Sequence, residues 1–166
     1  MDFFNPNCQT GPFNQEKFGL CDDQDTTVAY VDTSEPNKWV ATVENLAKMD
    51  VIFTAIDKCV IQDNEHAGRS RCDGMLTTEN LLYLVELKDQ KGQWKNHAIE
   101  QLKSTIVFLR DHHDLNNFRH KKAFACNRRK SGFIVIEQET QRRFFDEYGF
   151  RLDLQGIIKI TSKLVG

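Results

Sequence analysis

The strongest constraint on the fold is the succession of NLLYLVELKD, an amphipathic stretch, and KKAFACN. Leu81 to Val85 form an unbroken apolar run that reads as a buried strand, yet the run ends in Glu86, Leu87 and Lys88. From Trp94 to His113 the period changes to 3.6, and Ala98, Ile99, Leu102, Ile106 and Leu109 fall in a stripe about 100° wide, which predicts a helix. Residues 121–127 predict a short apolar strand. A strand, a helix and a strand in succession close as a right-handed crossover with the two strands parallel.

RCDGML, upstream of TTEN, predicts a strand that folds back on 80–89 as a hairpin. With the turn centred between Glu79 and Asn80, paired residues have numbers summing to 159, and Asp73 faces Glu86. Antiparallel and parallel pairs then share one sheet, so the expected class is α/β, with a mixed sheet of about five strands flanked by helices. Residues 37–50 predict a first helix on the spacing of Trp39, Val43, Leu46 and Ala47, and VIFTAIDKCVIQ predicts a strand from Val51 to Gln62. FIVI, a helix around Glu137 to Tyr148 stopped by Gly149, and one last strand in RLDLQGIIKI complete the chain. Residues 1–38 lack a sustained period and read as an irregular arm with at most a short strand at 27–32, which leaves 39–166 as the domain.

Composition excludes several classes. No apolar run is long enough to span a membrane and no leader is visible, so a cytoplasmic protein without membrane association is expected. Five cysteines without a CxxC pair argue against a disulfide framework and a four-thiolate zinc site, and predict reduced thiols, with Cys126 in the core. The net charge of −2 conceals an asymmetry: residues 1–66 hold 4 Lys/Arg against 12 Asp/Glu, and residues 67–166 hold 18 against 12. The basic part could meet a polyanion, and the acidic part would repel one unless it faces away. There is no GxxxxGK[ST], GxSxG or HExxH, so phosphate-loop, serine-hydrolase and zincin chemistry are unsupported.

Glu86 and Lys88 are two apart on a strand and share a face, and in the expected register Asp73 joins them. Two adjacent carboxylates repel unless a cation lies between them, and Mg²⁺, which takes one or two carboxylates and fills its octahedron with water and phosphate oxygens, suits such a pair. Lys88 beside them would stabilise charge developing on phosphorus.

Asp73, twelve intervening residues, then Glu86-Leu87-Lys88 and a helix together resemble the PD-(D/E)xK nucleases over roughly residues 39–129. The resemblance implies a restriction-endonuclease-like fold and Mg²⁺-dependent hydrolysis of phosphodiesters, with Mn²⁺ able to substitute. DNA is the expected substrate on family grounds. It also implies that Asp73 and Glu86 are metal ligands, that Lys88 is the catalytic lysine, and that Glu44 on the first helix and Gln101 in EQLKST are auxiliaries. Cys72 stands where the signature has proline. Arg128, Arg129 and Lys130, after the 121–127 strand, are the candidates for phosphate contact. A chain this small would need a second copy, or a protein partner, to address two strands.

The competing reading is a catalytically silent nuclease-fold protein with a binding or regulatory role, in which Asp73, Glu86 and Lys88 serve as surface charges where the strand emerges into solvent, with an ordinary ion pair between strands. His112 and His113 read as an exposed helix end rather than a metal site, and His66 as a polar loop residue.

Overall fold

The computed structural model describes residues 1–25, 27–63 and 70–161, which leaves His66 outside the described residues. The described strands are β1 (Gln9–Phe13), β2 (Lys17–Cys21), β3 (Tyr30–Asp32), β4 (Ala41–Glu44), β5 (Val51–Ala55), β6 (Gly74–Thr77), β7 (Leu81–Lys88), β8 (His120–Asn127), β9 (Arg151–Leu154) and β10 (Ile157–Lys159). The helices are α1 (Lys95–His112) and α2 (Gln138–Tyr148). A six-stranded mixed sheet runs β1-β5-β6-β7-β8-β9, and a second sheet runs β10-β4-β2-β3. The protein is therefore α/β in class, with three layers: helices, larger sheet, smaller sheet.

The central strand explains this arrangement. β7 is buried at all eight positions because both of its faces are covered. Leu82 and Leu84 pack in one core with Met75, Ala98, Leu102 and Ile106, under the helices. Leu81, Tyr83, Val85 and Leu87 pack in the other with Phe18, Val43, Phe53 and Ile158, against the smaller sheet. The β6–β7 hairpin has the expected register, Gly74 to Val85 through Thr77 to Leu82, and β7 and β8 are parallel across α1.

Several expectations are overturned. The first helix does not form. Trp39 follows a 3-10 turn at Pro36–Lys38, and residues 41–44 are β4, pairing with β2 and β10 while Leu46 is exposed. The helical spacing was coincidental: Val40, Thr42 and Val43 are β-branched, and burial alternates along Ala41–Glu44 with the period of a strand. The first 38 residues are not an irregular arm, since they supply β1 to the larger sheet and β2 and β3 to the smaller one.

β5 stops at Ala55, and the chain turns through Lys58 at positive φ. RLDLQGIIKI is broken rather than continuous. At Gly156 the chain leaves the larger sheet for the smaller, and its N–H bonds Ser131 O at 2.9 Å. FIVI contributes only a bridge between Ile134 and Leu154.

The cysteine expectation is corrected as well. Cys8 and Cys59 form a disulfide, with Cα atoms 5.7 Å apart across a separation of 51 residues. Pairing of β1 with β5 brings them together, which no local spacing could reveal. Cys21, Cys72 and Cys126 are free and buried, the last in the core as expected. His113 is no exposed helix end: its Nε2 accepts the Phe3 N–H at 3.1 Å and its ring meets Phe3 and Phe4 edge-on.

Candidate active site

The hairpin register, extended one residue beyond Gly74, sets Asp73 across from Glu86. Asp73, Glu86 and Lys88 all lie on the helix-facing side, in line with Met75, Leu82 and Leu84. They sit where β7 ends, the same end at which β8 delivers Asn127 in register with Lys88. In sheets with parallel strands this carboxyl end is where ligands are usually held. The three side chains are deeply placed, with Asp73 9 %, Glu86 2 % and Lys88 6 % exposed.

Their contacts are specific. Lys88 Nζ lies 3.1 Å from Glu86 Oε2. Asp73 Oδ2 accepts the Leu87 N–H at 2.7 Å, which ties the aspartate to the neighbouring strand. Glu86 Oε1 is buried and has no hydrogen-bond partner among the described residues. With both carboxyls ionised that oxygen would be left unsatisfied, which is costly, and a proton shared with Asp73 or a cation would relieve it.

Burial pushes the Asp73 carboxyl up to about 7; nearby Asp22 adds to the shift and the Leu87 N–H opposes it. Glu86 is held well above the usual carboxylate range, first by burial and then by Asp73, with Lys88 opposing. Around neutral pH the carboxyl pair therefore retains a proton.

Gln101 comes to the margin of this site from α1. Its Nε2 donates to Arg71 O at 3.3 Å, while its Oε1 is buried without a partner among the described residues. One turn on, Thr105 Oγ1 accepts the Cys72 N–H at 2.8 Å. Helix α1 thus clamps the two residues leading into Asp73. Glu44 does not join the site: it lies in β4, paired with Lys17 and Lys159, in the smaller sheet.

The turn carrying Arg128, Arg129 and Lys130 does adjoin the site. Arg128 N donates to Lys88 O at 2.8 Å, and Arg129 pairs with Asp89 at 2.8 Å. Arg128 also donates through its guanidinium to Asn37 O, and Lys130 is exposed.

Two groups escape sequence reasoning. Asn127 is fully buried and holds the Gln90 backbone from both sides, accepting its N–H at 3.3 Å and donating to its carbonyl at 2.8 Å. Its adjacency to the basic turn was the one available signal. From the N-terminal region, Asp22 raises Asp73, and Gln24 donates to Leu87 O at 3.4 Å. More than 60 residues separate Gln24 from Leu87 in the chain, and nothing local marks the encounter.

Among the described residues no group of three or more His, Cys, Asp or Glu side chains is arranged to hold a metal ion. The candidate set is two carboxylates, within the one or two that Mg²⁺ commonly uses. No helix among the described residues is long and apolar enough to cross a membrane. The chain matches no known family model, no curated protein and no solved structure.

Proposed function

We propose that this protein is a Mg²⁺-dependent nuclease of restriction-endonuclease-like type acting on nucleic-acid phosphodiesters, with DNA the expected substrate. The observation that carries the reading is Glu86 Oε1, a buried acceptor that only a proton shared with Asp73 or a cation would satisfy, beside Lys88 at the end of two parallel strands. The residues fit a divalent cation: both carboxyls are oxygen donors, and both are raised by burial, so exchanging their retained proton for a cation relieves the pair. With both carboxylates ionised and Lys88 charged, a bound divalent ion leaves the site at +1, which complements a phosphodiester at −1.

Asp73 and Glu86 would hold the ion, which when bound supplies a Lewis acid to the phosphoryl group. The Leu87 N–H fixes Asp73, and Lys88 keeps Glu86 oriented. Turned toward a phosphate oxygen, Lys88 stabilises the charge that develops there. Arg128, Arg129 and Lys130 would meet flanking phosphates, and Gln101 positions the segment that enters Asp73. The order of β5, β6, β7, α1 and β8 supports the fold assignment, while a strand in place of the first helix departs from it.

Localisation in the cytoplasm rests on the sequence alone, and the Cys8–Cys59 bridge suits an oxidising compartment better. A silent binding protein is the second reading. One observation favours it: Lys88 is already engaged with Glu86, and the trio is nearly closed to solvent.

Calorimetry of Mg²⁺ and Mn²⁺ against wild type and Asp73→Ala separates the two. Binding by wild type alone, with cleavage of linear DNA that Lys88→Met abolishes, supports the nuclease. Equal binding in both proteins, or none in either, removes the metal site.

A further inference from the structure

Beside β9 lies a cleft of about 530 Å³ that the site above does not use, lined by Phe133, Val135, Ile136, Arg142, Phe145 and Arg151 among others. Its volume falls within the roughly 300–1,000 Å³ of ligand clefts. Phe133 is 67 %, Val135 80 % and Phe145 56 % exposed, a concentration of bare apolar surface at one place. Ile134 and Ile136 are half-buried against the core under the helices, whereas Phe133 and Val135 are presented outward. Phe145 joins them from α2, whose neighbouring Phe144 is buried.

The cleft runs along an edge strand, which would ordinarily invite a peptide to add as a further strand. That route is closed. The Gln141 side chain accepts the Leu152 N–H at 2.8 Å and donates to the Leu152 carbonyl at 2.7 Å, and Ile134 N–H occupies the Leu154 carbonyl at 2.9 Å. With the outward backbone groups engaged, an occupant must be held by aromatic faces and by charge. Arg142 and Arg151 line the cleft and are exposed, with Asp153 the one acid among its lining residues and already near Lys122 and Arg151. Arg142 has Glu139 at 2.8 Å as a partner on the surface, an exposed pair that a phosphate could readily replace.

Arg151 of the cleft aligns with Lys122 and the proposed active site with Asn127, so the two lie at different levels of the sheet, and the chain from Lys130 to Phe133 links them. Phe133 stands three residues beyond Lys130, a reach of at most about 10 Å, and the basic turn between them is bonded to Lys88 through Arg128 N. Exposed aromatics beside arginines at the end of a basic path are the arrangement that binds unpaired bases, since every base offers a face for stacking. A duplex keeps its bases inside its own stack and could not use them.

We propose that the cleft is a subsite for single-stranded nucleic acid. Bases stack on Phe133 and Phe145, Arg142 and Arg151 meet phosphates, and the strand continues over Arg128–Lys130 to Asp73, Glu86 and Lys88. The assignment rests on the nuclease reading and narrows its substrate to a strand with an unpaired segment.

The test is fluorescence anisotropy of the full chain, in EDTA, with a labelled oligothymidylate of about 15 nucleotides and a duplex of equal length. Phe133→Ala and Phe145→Ala each weaken oligothymidylate binding roughly tenfold and leave duplex binding unchanged. Because both side chains are exposed, the variants fold, and circular dichroism checks this. If Arg128→Ala weakens binding but neither phenylalanine variant does, nucleic-acid binding stands and the subsite falls. Wild type that binds neither probe overturns the subsite along with the nucleic-acid reading. Displacement of the oligonucleotide by an apolar peptide, with no loss in the phenylalanine variants, assigns the cleft to a protein and likewise overturns the proposal.

Discussion

Replacing Asp73 by Asn tests the electrostatics of the site without touching its shape. Alanine is the wrong choice for stability work, because it would leave the buried Leu87 N–H without its acceptor at 2.7 Å, at a cost of about 1–3 kcal/mol. Asparagine retains an oxygen there and cannot ionise. In the wild type, burial lifts the carboxyl from 3.8 to about 7. A carboxyl whose folded pKa lies above its unfolded value contributes stability that is fully present below the unfolded value and is lost as pH rises through the folded one.

Wild type should therefore lose ground to Asp73→Asn by up to about 1.4 kcal/mol per pH unit between roughly pH 4 and 7, and the difference should level off above that. The ceiling over the window is about 4 kcal/mol, and relaxation of the site lowers the expected value to about 2 kcal/mol. For a chain of this size that is roughly 4–8 °C in Tm. Urea unfolding in EDTA, followed through the fluorescence of Trp39 and Trp94 at several pH values, reads it directly. A wild-type-to-variant difference that does not change with pH, or that shrinks as pH rises, would refute burial as the cause of the shift. Adding millimolar Mg²⁺ at about pH 8 should then stabilise wild type and leave Asp73→Asn unmoved.

Lys88→Met should abolish DNA cleavage in a gel assay and, by stranding Glu86 in a buried place, lower stability by about 3 kcal/mol in denaturant unfolding. Gln141→Ala frees both outward backbone groups of Leu152; about 1–2 kcal/mol of stability should go, and concentration-dependent association should appear in sedimentation. Thiol titration of protein unfolded without reductant should find three reactive cysteines rather than five, and Cys8→Ser with Cys59→Ser should cost about 2–4 kcal/mol. A titre of five would remove the bridge.

Local pattern is enough to set the middle of this protein. The period change from β7 to α1, the β6–β7 register and the common face of Asp73, Glu86 and Lys88 all follow from local alternation and from short loops. Such contacts are close in the chain, and each residue's neighbours are set by a period of 2 or 3.6.

The two ends of the chain depend on partners remote in sequence. Residues 41–44 satisfy a helical spacing and a strand alternation at once, and pairing with β2 and β10 selects the strand. The partners lie far off in sequence, so no window of residues contains the choice. Long-range ladder formation likewise brings Cys8 to Cys59, Asp22 toward Asp73 and Gln24 to Leu87. It also sets the depth of the site. Only when both sheet faces are covered do two carboxyls at a strand end lose enough water to hold a proton near neutral pH.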